Sequence, residues 1–323
     1  HKTDITNASR TMLYDLEKEE WSTDLLKILN IPHDILPEVV GNTFNFGSTK
    51  LFGDPIPISG MAGDQQASAI GQACFKKGQT KSTYGTGCFL LMNIGEKFQL
   101  SKNKLITSVA YKIDNKKMYC FEGSIFVAGS AIQWLRDKLF FFKDSKETEL
   151  LYSKAKENED IIIVPALTGL GAPYWRPDAR GAIFGLTRGT SIAEIVKATL
   201  DSLCYQTFDL VDAMEKDSNI KISEINVDGG MADNQKFIQN LSNILQIQVI
   251  KPNNIEASAL GVAYLASLSS GTLKYSEAIA QLIKNKNNDK ELNHFKPSMK
   301  KSLVEKQLLR WKKAVSTLLN YYD

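Results

Sequence analysis

Ile225 to Asp228 runs into Gly229-Gly230 and then into apolar residues at helical spacing from about 234 to 246, and few folds admit that order. A short apolar strand that ends in paired glycines and enters a helix is one α/β unit, and the glycines let the backbone lie against a flat or charged ligand. The order returns at once, with a strand over Ile247 to Lys251 and a helix from about 256 to 269. A chain of 323 residues exceeds one small core, so one large domain or two are expected around these units.

The regions before this unit supply more elements. Ser191 and Glu194 form a capping box, and Ile192, Ile195, Val196, Thr199, Leu200, Leu203 and Cys204 recur at i, i+3, i+4, i+7, i+8, i+11 and i+12. Ile161 to Ala166 reads as a buried strand that enters a loop with Gly169, Gly171, Gly181 and Gly185 among Tyr174, Trp175 and Phe184; such a loop is a functional connection or a lid. Leu105 to Phe126 reads as a hairpin turning at Asp114-Asn115-Lys116, and Gly129 to Asp137 as a helix whose small first residues allow close approach of a ligand, unless Gly129 only ends a strand. Two further helices, roughly 276 to 284 and 302 to 319, are expected around a Lys/Asn-rich loop at 284 to 290.

Nearer the start, Thr6 to Thr11 is a polar turn and Asp24 to Asn30 a short helix stopped by Pro32. Residues 32 to 57 hold four prolines and read as a surface connection. Pro57-Ile58-Ser59 reads as a buried strand leading to Gly63-Asp64-Gln65-Gln66-Ala67. Asp64 precedes a helical pattern from Gln65 to Lys76, so it suits a helix N-cap, or a carboxylate held at a glycine turn as a general base. Thr83 to Gly87 is either a hairpin turn or a phosphate cradle built from backbone N–H groups and a hydroxyl.

Composition narrows the partners. Apolar residues at 43%, charged residues at 23% and a net charge of +3 describe a soluble enzyme and argue against nucleic acid or an anionic membrane. The C-terminal lysines (Lys284, Lys286, Lys290, Lys296, Lys300, Lys301, Lys306) read as a solvated surface. Cys74, Cys88, Cys120 and Cys204 lack metal-ligand spacing and read as reduced buried thiols, which places the chain in the cytoplasm. Ile161 to Leu167, broken by Pro165, falls well short of the roughly 20 apolar residues of a membrane span. No signal peptide is recognisable; the chain begins with His1 rather than Met, so residues upstream are expected.

Several segments in one order resemble the FGGY carbohydrate kinase family: residues 63–67, Thr83 to Phe89, Ala128 to Asp137, Gly169 to Trp175, Gly181 to Asp201, Val227 to Gly230 and Ala259 to Ala266. The resemblance implies an α/β, actin-like ATPase (ribonuclease H-like) fold with a mixed sheet flanked by helices. Residues 1–64 would end the first, substrate and phosphate domain, and 65–323 would be the second, nucleotide-binding domain. It also implies ATP-dependent phosphorylation of glycerol to sn-glycerol 3-phosphate, with Asp64 as general base. Gln65 would bond a second glycerol hydroxyl and Phe89 would cover the carbon skeleton. Thr86, Gly87 and Gly129 would hold phosphates, and Gln133, Gly230 and Asn234 would bracket the nucleotide. The family's Asp-x-Gly-Thr loop, whose aspartate holds Mg²⁺, and its Arg-Glu pair and Tyr for glycerol are not found here. The chain is therefore expected to be incomplete and inactive alone, with its main Mg²⁺ ligand elsewhere. Glycerol, ATP and ADP are the implied ligands, and a homo-oligomer, dimer or tetramer, is implied. Other readings are another FGGY sugar or polyol kinase, such as one acting on a pentulose, and a non-catalytic nucleotide-binding fragment. Leu51 stands about where some relatives carry a phosphorylatable histidine, so neither that control nor bisphosphate binding in the Phe46 to Ile58 loop is expected.

Overall fold

A computed structural model describes residues 1–156, 161–252, 256–274 and 294–323, with Glu277 and Ala280. Its first elements are small: β1 (Lys2–Asp4), α1 (Ile5–Ala8), β2 (Tyr14–Asp15), β3 (Glu20–Trp21), α2 (Thr23–Ile28) and β4 (Glu38–Val40). The Asp4 carboxylate caps α1 and also accepts from Asn42 Nδ2 at 2.9 Å, which ties this region together. A hairpin of β5 (Thr43–Thr49) and β6 (Ile56–Gly60) follows. Residues 32 to 57 therefore contain strands, not only connection. Ile56 and Ile58 are exposed, contrary to the expected buried strand, because this hairpin pairs with itself away from the main sheet.

Then come α3 (Asp64–Gly71), β7 (Thr80–Tyr84), β8 (Cys88–Gly95), β9 (Ile106–Ile113) and β10 (Lys116–Ile125). The expected continuation of α3 to Lys76 fails because Ala73 takes a left-handed φ of 58°, which a helix cannot hold. The 105–126 hairpin forms as read, with Asp114 in the left-handed region at the turn. Next are α4 (Gly129–Asp137), α5 (Glu147–Lys154), β11 (Ile162–Val164), β12 (Ala182–Phe184) and α6 (Ile192–Ser218). The glycine-rich stretch between β11 and β12 is packed rather than lid-like: Ala166, Leu170, Ala172 and Ala179 are buried.

The chain ends with β13 (Glu224–Asp228), α7 (Gln235–Leu245), β14 (Gln248–Ile250), α8 (Ala257–Ser269), β15 (His294–Phe295) and α9 (Lys301–Tyr321). The helix expected over 276 to 284 and the loop at 284 to 290 lie outside the described residues. Seven strands join in the order β15-β14-β13-β7-β8-β10-β9. The sheet is mixed: β14, β13 and β7 run parallel, and the remaining neighbours antiparallel.

The helix α6, 27 residues long, has the capping box expected: Ser191 Oγ accepts from the Ala193 N–H and Glu194 Oε2 from the Ser191 N–H at 2.8 Å. The box also holds the Glu194 carboxyl down to about 2. Its apolar stripe joins the main core through Leu203, Leu210 and Met214. Trp311 of α9 is wholly buried against Tyr205, with ring centroids 5.6 Å apart. This arrangement covers one face of the sheet, while α3 and α8 share a second apolar cluster.

Candidate active site

The helix α3 starts at Asp64 and Gly63 is its N-cap, so Asp64 is the first helical residue rather than the cap. Its Oδ1 accepts from the Gln65 N–H at 2.8 Å, and the side chain is exposed. The next polar residues of α3 face inward. Gln65 Oε1 accepts from Lys81 Nζ on β7, and Gln66 Nε2 donates to Glu122 Oε1 on β10 at 2.8 Å. Ser68 Oγ and Gln72 Nε2 both donate to Asp228 Oδ2 on β13, at 3.1 and 2.7 Å. Arg10 closes the network from the first segment by pairing with Glu122.

Lys81 is 0% exposed. Burial pushes its ammonium below the ordinary lysine range, while the Asp228 and Glu122 carboxylates pull it back up. Its second acceptor is Thr83 Oγ1 at 2.9 Å. Thr83 stands opposite Phe89 in the β7–β8 register, and Phe89 is 41% exposed. Asp64, Gln65 and Phe89 are thus connected through Lys81 and Thr83.

The β7–β8 turn interlocks with the start of α4. Gly85 N–H donates to Gly87 O at 2.9 Å, and Gly129 N–H donates to Gly85 O at 2.9 Å. Thr86 O accepts from the N–H groups of Ala128 and Ser130 and from Ser130 Oγ, at 3.0, 3.1 and 3.0 Å. Gly129 opens a helix, as read from the sequence, but its N–H is committed to Gly85. It brings α4 against the turn rather than offering a free donor to a phosphate.

A cavity of about 670 Å³ opens beside this turn. Thr86, Gly129 and Gln133 line one side, Gly230 and Asn234 the other, and Thr148 and Glu149 of α5 close a third. Gly229 holds φ at 89°, and a Cβ there would lie 2.4 Å from Tyr84 O, so only glycine brings β13 this close to β7. Gly230 has nothing within 4 Å of where a Cβ would stand, so its face is open to the cavity. Asn234 caps α7, its Oδ1 accepting from the Phe237 N–H at 3.0 Å, and its Nδ2 donates to Thr148 Oγ1 at 3.1 Å.

Five of the residues expected at a nucleotide (Thr86, Gly129, Gln133, Gly230 and Asn234) therefore share one cavity. Gly87 belongs to the same turn but does not line the cavity, and neither do Asp64, Gln65 and Phe89. Lys81 and Glu122 were not singled out from the sequence, and Asp228 only as part of the turn that leads to Gly229 and Gly230. A lone lysine inside a strand was the available signal for the first. Among the described residues no group of three or more His, Cys, Asp or Glu side chains could hold a metal ion.

The FGGY family of carbohydrate kinases matches with its N-terminal domain over residues 1–71 and with its C-terminal domain over 80–270. Glycerol kinase of Streptococcus uberis is 50% identical over 322 residues, covering 98% of this chain and 62% of the relative. That of Pediococcus pentosaceus is 48% identical over 319 residues, with the same coverage. Plasmodium falciparum glycerol kinase with ADP superposes with a TM-score of 0.90 at 37% identity, over 98% of this chain and 63% of that one. A ligand-bound xylulose kinase from Lactobacillus acidophilus shares the fold, with a TM-score of 0.82 at 21% identity over 99% of this chain and 64% of that one. The chain spans under two thirds of the length of the curated relatives it matches. The mixed sheet with flanking helices is the actin-like ATPase fold. By these matches the chain belongs to the FGGY family of carbohydrate kinases.

Proposed function

We propose that the full-length protein transfers the γ-phosphoryl group of ATP to glycerol, giving sn-glycerol 3-phosphate and ADP. The observation that carries this reading is the unbroken chain of contacts Asp64–Gln65–Lys81–Thr83, which joins an exposed carboxylate to the turn beside the 670 Å³ cavity. In this reading the acceptor hydroxyl loses its proton to Asp64 as its oxygen bonds phosphorus and the bond from phosphorus to the β,γ-bridging oxygen breaks. General-base help of this kind contributes about 10²–10⁴ in rate. Gln65 bonds a second hydroxyl, and Phe89 covers the carbon chain. Thr86, Gly87 and the close-packed Gly129 border the phosphates, while Gln133, Gly230 and Asn234 bracket the base and ribose.

Phosphoryl transfer of this class uses Mg²⁺ to neutralise phosphate charge. The described residues lack a clustered donor set for it, so no step here is assigned to the metal. The division at residue 64 into an acceptor-side and a nucleotide-side domain belongs to the same reading.

Cys74, Cys88, Cys120 and Cys204 are all buried and none forms a disulfide, which supports a reducing compartment, the cytoplasm. Among the described residues no helix is long and apolar enough to cross a membrane. Leu51 and Phe52, 81% and 77% exposed at the tip of the β5–β6 hairpin, favour burial between copies in a homo-oligomer.

Calorimetry with ADP, followed by coupled-assay turnover with glycerol and with D-xylulose, tests the assignment. Binding of ADP with turnover of glycerol and not of xylulose is expected; turnover of xylulose alone would redirect it to a pentulose, and ADP binding without any turnover to a non-catalytic role.

A further inference from the structure

We infer that Lys81 is a positioning residue that fixes which end of the Gln65 amide faces the acceptor substrate; this rests on the glycerol reading above. An ammonium has three donors and no acceptor. Fully buried, Lys81 cannot give them to water, and it spends two on Gln65 Oε1 and Thr83 Oγ1. The amide of Gln65 is thereby pinned by its oxygen. Its Nε2 is turned the other way, toward Asp64 Oδ2 at 3.4 Å.

Gln65 consequently presents hydrogen-bond donors to the ligand side. One N–H leans on the proposed base and leaves the other for an oxygen of the substrate. Without Lys81 the two ends of the amide become nearly equivalent, and half of the orientations would point an acceptor where a donor is needed. The buried carboxylates Asp228 and Glu122 oppose the loss of charge that burial favours at Lys81. Both are held by other donors of α3, Asp228 by Ser68 and Gln72, and Glu122 by Gln66. The ammonium is therefore left to Gln65 and Thr83.

The test is a double-mutant cycle in the full-length protein, with glycerol and ATP varied separately. Lys81→Met and Gln65→Met are each expected to raise the glycerol KM about tenfold and leave the ATP KM within about twofold. In the Gln65→Met background, Lys81→Met should change the glycerol KM by less than about twofold, because it acts through the missing amide. Multiplying effects in the double variant, or an ATP KM rising in step with that of glycerol, would mark a merely structural lysine and overturn the inference.

Gln65→Glu provides a second route if Lys81→Met does not fold, since it keeps an acceptor toward Lys81 and replaces the donors that face Asp64 Oδ2 with a carboxylate oxygen. A melting temperature at or above that of the wild type, with the glycerol KM raised about tenfold, is expected. An unchanged glycerol KM would contradict the assignment. Wild-type protein that binds ADP and turns over no polyol or sugar defeats the glycerol reading and this inference together, whereas active wild type with unaffected variants defeats the inference alone.

Discussion

Gln72 Nε2 donates to Asp228 Oδ2 at 2.7 Å, and this bond fastens the helix that begins at Asp64 to the residue just before the Gly229-Gly230 turn. The two halves of the proposed site, acceptor and nucleotide, are thereby built on one buried network. Asp228 Oδ1 has no hydrogen-bond partner in that network, so Oδ2 carries the satisfaction of the carboxylate. Gln72→Leu should cost about 1–3 kcal/mol by leaving a buried carboxylate short of a donor. Urea denaturation reads the loss, and weaker ADP binding should accompany it. Wild-type stability in this variant would show that the bond does not hold the two parts together.

Gly229 and Gly230 are neighbours with opposite expectations. Gly229→Ala forces a side chain into φ 89° with its Cβ 2.4 Å from Tyr84 O, and should destabilise by about 2–4 kcal/mol or prevent folding. Gly230→Ala meets nothing within 4 Å and should melt close to the wild type, yet weaken ADP by about tenfold because its methyl group enters the cavity. Thermal melting and calorimetry on both variants decide this. Unchanged ADP affinity in Gly230→Ala would remove the nucleotide from the cavity.

Asp209 predicts a pH dependence. It is buried between α6, α9 and the β11–β12 loop, where Trp311 Nε1 and Tyr174 OH donate to its Oδ2 at 2.7 and 2.8 Å. Burial lifts its carboxyl to about 6, against the downward pull of those two bonds. A folded value above the unfolded one, about 4, means that the stability it contributes is complete below pH 4 and lost as pH rises through 6. The stability of the wild type minus that of Asp209→Asn should therefore fall by about 3 kcal/mol from pH 4 to pH 7. A difference that stays flat or grows over that range would contradict the assignment.

Much of the fold was legible because its signals are local. The Ser191–Glu194 box and the Asp228-Gly229-Gly230 turn depend on residues a few positions apart, and both formed where read. The turn at Thr83 to Gly87 was readable as a shape, but its locking to Ala128, Gly129 and Ser130 was not, because those bonds join segments some 44 residues apart. The polar side of α3 was hidden for the same reason. Gln66, Ser68 and Gln72 look like surface residues in sequence, and their partners Glu122 and Asp228 lie 56 to 160 positions away. Asp64 was misplaced by one position as a cap, since Gly63 takes the extended backbone that precedes α3. Thr148 and Glu149 carried no motif at all, and only the packing of α5 against α6 and α7 brings them to the cavity.

In the proposed reaction Asp64 takes the proton of the acceptor hydroxyl while the nucleotide is held elsewhere, in the cavity beside Thr86. The most direct measurement is glycerol 3-phosphate formation by full-length wild type and Asp64→Asn, with ADP affinity measured on both. Asp64→Asn should lose about 10²-fold or more in kcat with ADP affinity within a few-fold, since the missing carboxylate acts on the acceptor alone. Activity above about a tenth of the wild type would rule out Asp64 as the base and assign that role to another residue.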